Sequence, residues 1–122
     1  MAHAINWFEI PAANFERAKK FYEAILATEM MIPFPEMKYA MFPADMAKGE
    51  IGGGLVEEQN YEPSEKGALV YLNGGEDLSV PLSRVEPAGG KIIIPKRSIG
   101  PNGFMAVFND TEGNRVAFHS MK

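Results

Sequence analysis

Apolar and polar residues alternate along the start of the chain and then change to helical spacing within its first 26 residues. Phe8 and Ile10 fall on one face of the predicted strand, and Trp7 and Glu9 fall on the other. From residue 15 onward the apolar positions recur every three or four residues and form one stripe, as in an amphipathic helix. Asn14 is placed to cap that helix. The pattern predicts a strand whose Phe8 face packs against the helix that follows.

A similar pattern returns 63 positions later, which predicts two like modules. The alignment pairs strand and cap positions of the two halves: Trp7 with Val70, Asn14 with Asp77, Met41 with Phe104 and Gly54 with Ala117. Each module reads as a strand, a helix and three further strands. Module 1 covers about residues 1–60 and module 2 about residues 64–122 of a single α+β domain.

The remaining elements follow from local signals. We predict strands over 29–34 and 37–43 in module 1, a second helix over 77–90, and a strand over 91–95 followed by an irregular loop over 95–103. Pro81 predicts an irregular start of the second helix. The run Ala88-Gly89-Gly90 is predicted to end that helix, with a glycine free to take a left-handed conformation, and Gly113 is predicted to take positive φ in a hairpin turn. The run Gly52–Gly54 lies inside a predicted strand, and it fits either a bulge or close backbone approach, or room for a ligand.

Composition narrows the classes of function. The formal net charge is −4 and the pI is near 5.2, which argues against nucleic acid as a partner. The chain has no cysteine, which excludes disulfides and thiolate metal sites. No apolar run is long enough to span a membrane, and the N-terminus lacks the features of a signal peptide, so we expect a cytoplasmic protein with no membrane partner.

Four features stand in the same order as in a known superfamily: the FEIP strand, the ERAKKFYEAIL helix, the AGGK strand entry and the DTEGN turn. Together they make the chain resemble the vicinal oxygen chelate superfamily, which contains glyoxalase I, bleomycin- and fosfomycin-resistance proteins and extradiol dioxygenases. The resemblance covers nearly the full chain. It implies two βαβββ modules that form a curved, cup-shaped mixed sheet around a cavity, and it implies a homodimer.

The resemblance also implies where a metal would be held. Enzymes of the superfamily bind a divalent metal through His and Glu side chains of the first and last strand of each module. The matching positions here are Trp7, Gly54, Val70 and Ala117, whose side chains cannot coordinate a metal. We therefore expect no metal and no other cofactor.

Two titratable side chains are left on the strands that would line the cup. Glu9 lies two residues after Trp7, and His119 lies two residues after Ala117. They fit an acid–base couple, because imidazole titrates near neutral pH. More commonly, a Glu at a strand end is solvated or paired with a lysine, and a His near the C-terminus is exposed or bonded to a backbone group.

Two functions remain open. The first is a metal-free protein that binds or sequesters a small apolar or planar molecule, with six ligand-binding candidates: Trp7, Met41, Gly54, Val70, Phe104 and Ala117. The second is a lyase or isomerase of the same superfamily that uses Glu9 and His119. Trp7 is the single tryptophan, and it fits either a wall of the ligand site or a plug that fills the cup.

Overall fold

The computed structural model of the protein describes residues 3–122. In chain order its strands and helices are β1 (Trp7–Pro11), α1 (Phe15–Leu26), β2 (Tyr39–Met41), β3 (Gly52–Val56), β4 (Val70–Asn73), α2 (Ser79–Leu82), β5 (Lys91–Ser98), β6 (Phe104–Asn109) and β7 (Arg115–Ser120). Two short 3-10 turns, Met46–Lys48 and Gly100–Asn102, interrupt the loops before β3 and β6.

The strands form two separate sheets, one for each predicted module. The first sheet has the order β1-β3-β2, and the second has the order β4-β7-β6-β5. In each sheet the first strand of the module runs parallel to the last, and the other neighbours are antiparallel. A single bridge between Met31 and Met41 stands where the first sheet would have its fourth strand. The α+β fold with two like modules is therefore confirmed, with the fourth strand of the first module reduced to this one bridge.

The predicted strand over 29–34 was wrong, because only Met31 pairs with a neighbour. Pro33 and Pro35 lack an amide proton and cannot donate to a ladder, so a regular ladder does not continue past Met31. The strand predicted over 37–43 is correspondingly short and forms only β2.

The second helix is one turn long, α2, and not the helix predicted over 77–90. Pro81 sits inside this turn and cannot donate a backbone hydrogen bond. The chain continues as a series of turns until Gly89. There φ is positive, at 107°. Asp77 accepts from the Ser79 amide at 2.8 Å, so it still supports the entry into this segment as a cap residue would.

β5 extends to Ser98 through residues that were predicted to be a loop. Its pairing with β6 shifts register between Ile92 and Ile94 and again between Ile94 and Arg97. These irregularities accommodate Pro95, which cannot join a regular ladder. Gly113 has φ of 88° in the turn between β6 and β7, as predicted.

Both sheets pack one face against a common core around α1. The helix buries one stripe of side chains, as the sequence predicts: Phe15, Ala18, Phe21, Tyr22 and Ile25. The Tyr22 ring lies 5.3 Å from the Phe42 ring of the first module, and the Phe21 ring lies 6.1 Å from the Phe108 ring of the second. Phe8 and Ile10 also join this core, which confirms their predicted face. We call the face of each sheet that packs on this core the inner face, and the opposite one the outer face.

The N-terminus of α1 is held by side chains from distant parts of the chain. Asn14 caps it as predicted, with its side chain accepting from the Arg17 amide at 3.1 Å. Glu112, from the turn between β6 and β7, accepts from the amides of Ala13 and Asn14 at 2.9 and 2.7 Å, and from the Arg17 guanidinium. Glu57 accepts from the Phe15 amide at 2.8 Å. These bonds satisfy orphan amides of the first turn and fix module 2 to module 1.

A buried polar group also joins the modules. The Tyr22 hydroxyl donates to the Asp110 carboxylate at 2.6 Å, and Asn114 donates to Asp110 and to the Pro11 carbonyl. Burial, followed by the negative charge of Asp110, raises the pKa of Tyr22 well above its ordinary value. Within residues 3–122, no helix has the length and apolar character needed to cross a bilayer.

Candidate functional site: an aromatic site on the first sheet

The three consecutive glycines of β3 make room for three aromatic rings. A side chain at Gly52 would place its first carbon 2.8 Å from the Trp7 ring, and one at Gly54 would collide with the Tyr39 ring. On the inner face, a side chain at Gly53 would collide with the Phe8 ring. The glycines are therefore required because aromatic rings lie close over the strand, which differs from both alternatives left open by the sequence.

Trp7, Tyr39 and Glu9 form a chain of hydrogen bonds on the outer face of the first sheet. The Trp7 indole N–H donates to the Tyr39 hydroxyl at 2.9 Å, and that hydroxyl donates to Oε2 of Glu9 at 2.8 Å. The register of β1 and β3 explains this arrangement, because Trp7 pairs with Gly52 and Glu9 pairs with Gly54. We call Trp7, Glu9, Tyr39 and the nearby Tyr61 the aromatic site.

Glu9 affects the pKa values of the two tyrosines beside it. The pKa of Tyr39 is raised, mainly by burial and then by the hydrogen bond that Tyr39 donates to Glu9. The hydrogen bond from Trp7 lowers it. The negative charge of Glu9 is the main cause that raises the pKa of Tyr61. Both phenols therefore stay protonated at neutral pH beside this carboxylate.

The aromatic site is open to solvent from one side. Trp7 and Tyr39 are half-buried, whereas Glu9 is exposed and Tyr61 is 40% exposed. Met41 is also half-buried, and it lies two residues from Tyr39 on the same face of β2. An apolar molecule that covered these side chains would remove aromatic surface from water.

Four of the predicted site residues therefore share one surface. Trp7, Glu9, Met41 and Gly54 all belong to the outer face of the first sheet, where Gly54 pairs with both Glu9 and Met41. Tyr39 and Tyr61 were missed. Tyr39 had a usable signal, since it lies two residues from Met41 in a predicted strand, whereas Tyr61 lies in a polar loop with no periodic pattern.

Phe104 lies on the inner face and packs against the main core, contrary to the predicted alignment with Met41. Met41 pairs with Gly54, 13 positions later, whereas Val107 pairs with Ala117, only 10 positions later. The hairpin of the first module is longer by three residues. An odd difference moves a side chain to the opposite face, so Val107 and not Phe104 is the counterpart of Met41.

Val70 also lies against the main core, because the first strands are offset by one residue from the predicted alignment. Glu9 pairs with Gly54 in the first sheet. Tyr71 pairs with Ala117 in the second. With Gly54 and Ala117 as counterparts, Tyr71 takes the place of Glu9. A shift by one residue exchanges the two faces, which turns Val70 inward.

Ala117 lies on the outer face of the second sheet, within a small apolar cluster: Leu69, Ile94, Met105, Val107 and Ala117. Ala117 therefore does not lie on the surface that carries Trp7. His119 follows on the same face of β7 and borders an open depression of about 460 Å³, together with Tyr71, Leu72 and Asn73. Its Nε2 lies 2.7 Å from the Asn102 carbonyl oxygen.

The structure does not bring Glu9 and His119 together as a hydrogen-bonded couple. Glu9 belongs to the first sheet and accepts from Tyr39, whereas His119 belongs to the second sheet and contacts the Asn102 carbonyl. Each side chain is thus engaged within its own module.

The residues present do not fit the divalent metal of the superfamily. The structure corrects the first-strand position of module 2 from Val70 to Leu69, and Leu69 offers no ligand atom either. Trp7, Gly54 and Ala117 likewise provide no side-chain oxygen or imidazole nitrogen. In the part of the chain from residue 3 to 122, no three His, Cys, Asp or Glu side chains are grouped closely enough to hold a metal ion.

Comparison with known proteins matches this chain to one protein family. The family model described as Glyoxalase/Bleomycin resistance protein/Dioxygenase superfamily matches residues 4–118. A glyoxylase-like domain-containing protein from Didymella fabae is 34% identical over 120 residues, which cover 93% of this chain and 90% of that protein.

Solved structures share the fold at low sequence identity. A glyoxalase/bleomycin resistance protein from Albidiferax ferrireducens superposes with a TM-score of 0.77 at 13% identity, covering 95% of this chain and 97% of that one. A glyoxalase-related enzyme from Fulvimarina pelagi superposes with a TM-score of 0.73 at 12% identity, covering 98% and 88%. The family model spans both modules, so the chain belongs to the glyoxalase/bleomycin resistance protein/dioxygenase superfamily.

Proposed function

We propose that this chain is a cytoplasmic protein that binds and sequesters a small apolar or planar molecule at the aromatic site, without a metal. The observation that carries the proposal is the pair of half-buried rings, Trp7 and Tyr39, set over Gly52 and Gly54 and fixed to each other by a hydrogen bond of 2.9 Å. Two rings held in place lose little conformational entropy when a ligand stacks on them.

The position of Trp7 supports the same proposal. It occupies the first-strand place at which the superfamily's enzymes carry a metal ligand, so aromatic surface replaces a coordinating side chain there. Sequestration needs no catalytic group, and the site as built offers ring surface and one carboxylate. A lyase or isomerase with Glu9 and His119 as a couple is not favoured, since each side chain is engaged in its own sheet.

Trp7 fluorescence tests the proposal directly, because Trp7 is the single tryptophan of the chain. A panel of planar hydrophobic compounds should contain members that quench or shift the emission in a saturable way. Trp7→Ala should weaken binding of those compounds by about 1–3 kcal/mol through lost stacking and burial. If no compound changes the emission and Trp7→Ala only lowers the melting temperature, Trp7 is a plug and the proposal fails.

The same preparation tests whether a metal is needed. Ligand binding and the melting temperature should be unchanged by EDTA and by added Zn²⁺ or Ni²⁺, because the four candidate positions lack ligand atoms. Binding of about one metal ion per chain with a raised melting temperature would contradict the proposal.

We further expect the chain to act as a homodimer, because apolar and aromatic side chains on or beside the outer faces of both sheets are exposed. Exposed examples on or beside these faces are Met31, Tyr61 and Tyr71. Light scattering should give twice the chain mass of 13.4 kDa at micromolar concentration. A purely monomeric species would contradict this expectation.

A further inference from the structure

Glu9 carries a charge that the rest of the described chain does not neutralise. The ion pairs among residues 3–122 involve other carboxylates, and Lys38, the cation next to Tyr39 in sequence, lies 3.4 Å from Glu57. Oε2 of Glu9 accepts from Tyr39, and no hydrogen bond to its Oε1 is formed within that same range. One carboxylate oxygen is thus available to a ligand.

The hydrogen-bond donors of Trp7 and Tyr39 are already used, and the Tyr61 hydroxyl interacts with Glu9. The Trp7 N–H is bonded to Tyr39, and the Tyr39 hydroxyl proton is directed to Glu9. An anionic ligand would need such donors and would also face the charge of Glu9. A ligand therefore meets one acceptor, with negative charge, and the π surfaces of rings.

Rings and a carboxylate together form a recognised environment for organic cations. The negative face of an aromatic ring attracts a cation by about 0.5–2 kcal/mol, and a desolvated quaternary amine gains most. Trp7, Tyr39 and Tyr61 all lie near Glu9: Tyr39 donates to Glu9, Trp7 donates to Tyr39, and the charge of Glu9 raises the pKa of Tyr61. The net charge of −4 adds a long-range attraction for cations.

We propose that the ligand of the aromatic site is an organic cation, a quaternary or protonated amine on an apolar body, with Glu9 as its counter-ion and the rings of Trp7, Tyr39 and Tyr61 around it. This inference rests on the proposed function and names the ligand class. Lys38 does not compete for Glu9, since it is paired with Glu57.

Two probes of nearly equal shape test this assignment. Phenyltrimethylammonium carries the charge, and tert-butylbenzene is its neutral isostere. In titrations followed by Trp7 fluorescence at low salt, the cation should bind at least about tenfold more tightly, and added salt should reduce the difference. Glu9→Gln should remove most of the preference for phenyltrimethylammonium over tert-butylbenzene.

Glu76→Gln is the matched control, because Glu76 is exposed in the second module and its change alters the net charge by the same amount. It should leave the preference for the cation intact. If tert-butylbenzene binds as tightly as phenyltrimethylammonium, the cation assignment is wrong while the proposed function stands. If both probes leave the emission unchanged, the proposed function fails and this inference fails with it.

Discussion

The indole N–H of Trp7 donates to the hydroxyl of Tyr39 at 2.9 Å, across 32 positions of sequence. The bond joins β1 to β2 over the glycines of β3, which lies between them in the sheet. It fixes the orientation of the single tryptophan and leaves Tyr39 to donate to Glu9. Removing the hydroxyl therefore affects both ends of this chain of bonds.

Tyr39→Phe should lower the free energy of unfolding by about 1 kcal/mol, since one part-buried donor and one acceptor lose their partner. It should also shift the emission maximum of Trp7, because the indole N–H loses its bond. Tyr71→Phe is a suitable control, as Tyr71 is 50% exposed on the second sheet. Equal effects of the two variants on emission would contradict the assigned bond.

Substitutions at neighbouring glycines should separate ligand binding from stability. Gly54→Ala should displace Tyr39 on the outer face, and it should weaken ligand binding measured by Trp7 fluorescence. Gly53→Ala should displace Phe8 on the inner face and lower stability by roughly 1–3 kcal/mol, as overpacking of a core does. Urea unfolding measures the second effect. A Gly54→Ala variant with unchanged affinity would argue against a ligand contact at Tyr39.

Glu112→Ala should destabilise the protein by about 1–2 kcal/mol, because two amides at the N-terminus of α1 lose their acceptor. Arg17→Met, which removes only the exposed ion-pair partner, should cost less than Glu112→Ala. Denaturant unfolding of both variants measures the difference. Equal losses would mean that the ion pair, and not the capping of the helix, is what Glu112 contributes.

The pH dependence of Glu112 follows from the same contacts. Burial by itself would raise the pKa of Glu112, but the hydrogen bonds from Arg17, the Asn14 amide and Thr111 outweigh it, so the pKa is lowered. The stability that Glu112 contributes should be present above pH 4.5 and should be lost as the pH falls through the lowered value. Glu112→Gln should flatten this part of the acid unfolding curve.

Tyr22→Phe should cost about 1–3 kcal/mol at neutral pH, since the buried Asp110 carboxylate loses its shortest donor. Because the pKa of Tyr22 is raised in the folded state, its contribution is complete below pH 10.0 and is lost as the pH rises above that value. The variant should therefore lose less stability than the wild type between neutral and strongly alkaline pH. Thermal melts across that range, with Tyr71→Phe as the exposed control, measure it.

The sequence by itself determined the local elements β1 and α1 and the pattern of two like modules. Alternation in β1 identified the face that packs inward at Phe8, and helical spacing with Asn14 identified α1. These features depend on residues close together in the chain, so local pattern is sufficient. The same patterns supported the α+β fold class and the family.

Tertiary structure alone decided which predicted site residues share a surface. Val70 and Phe104 turned inward because the modules differ in register by one residue and in hairpin length by three, and a single alignment offset cannot represent both. Tyr61 joined the site from a loop without periodicity. The pairing of Tyr39 with Trp7 depends on the order of strands in the sheet, which brings together side chains that are far apart in sequence.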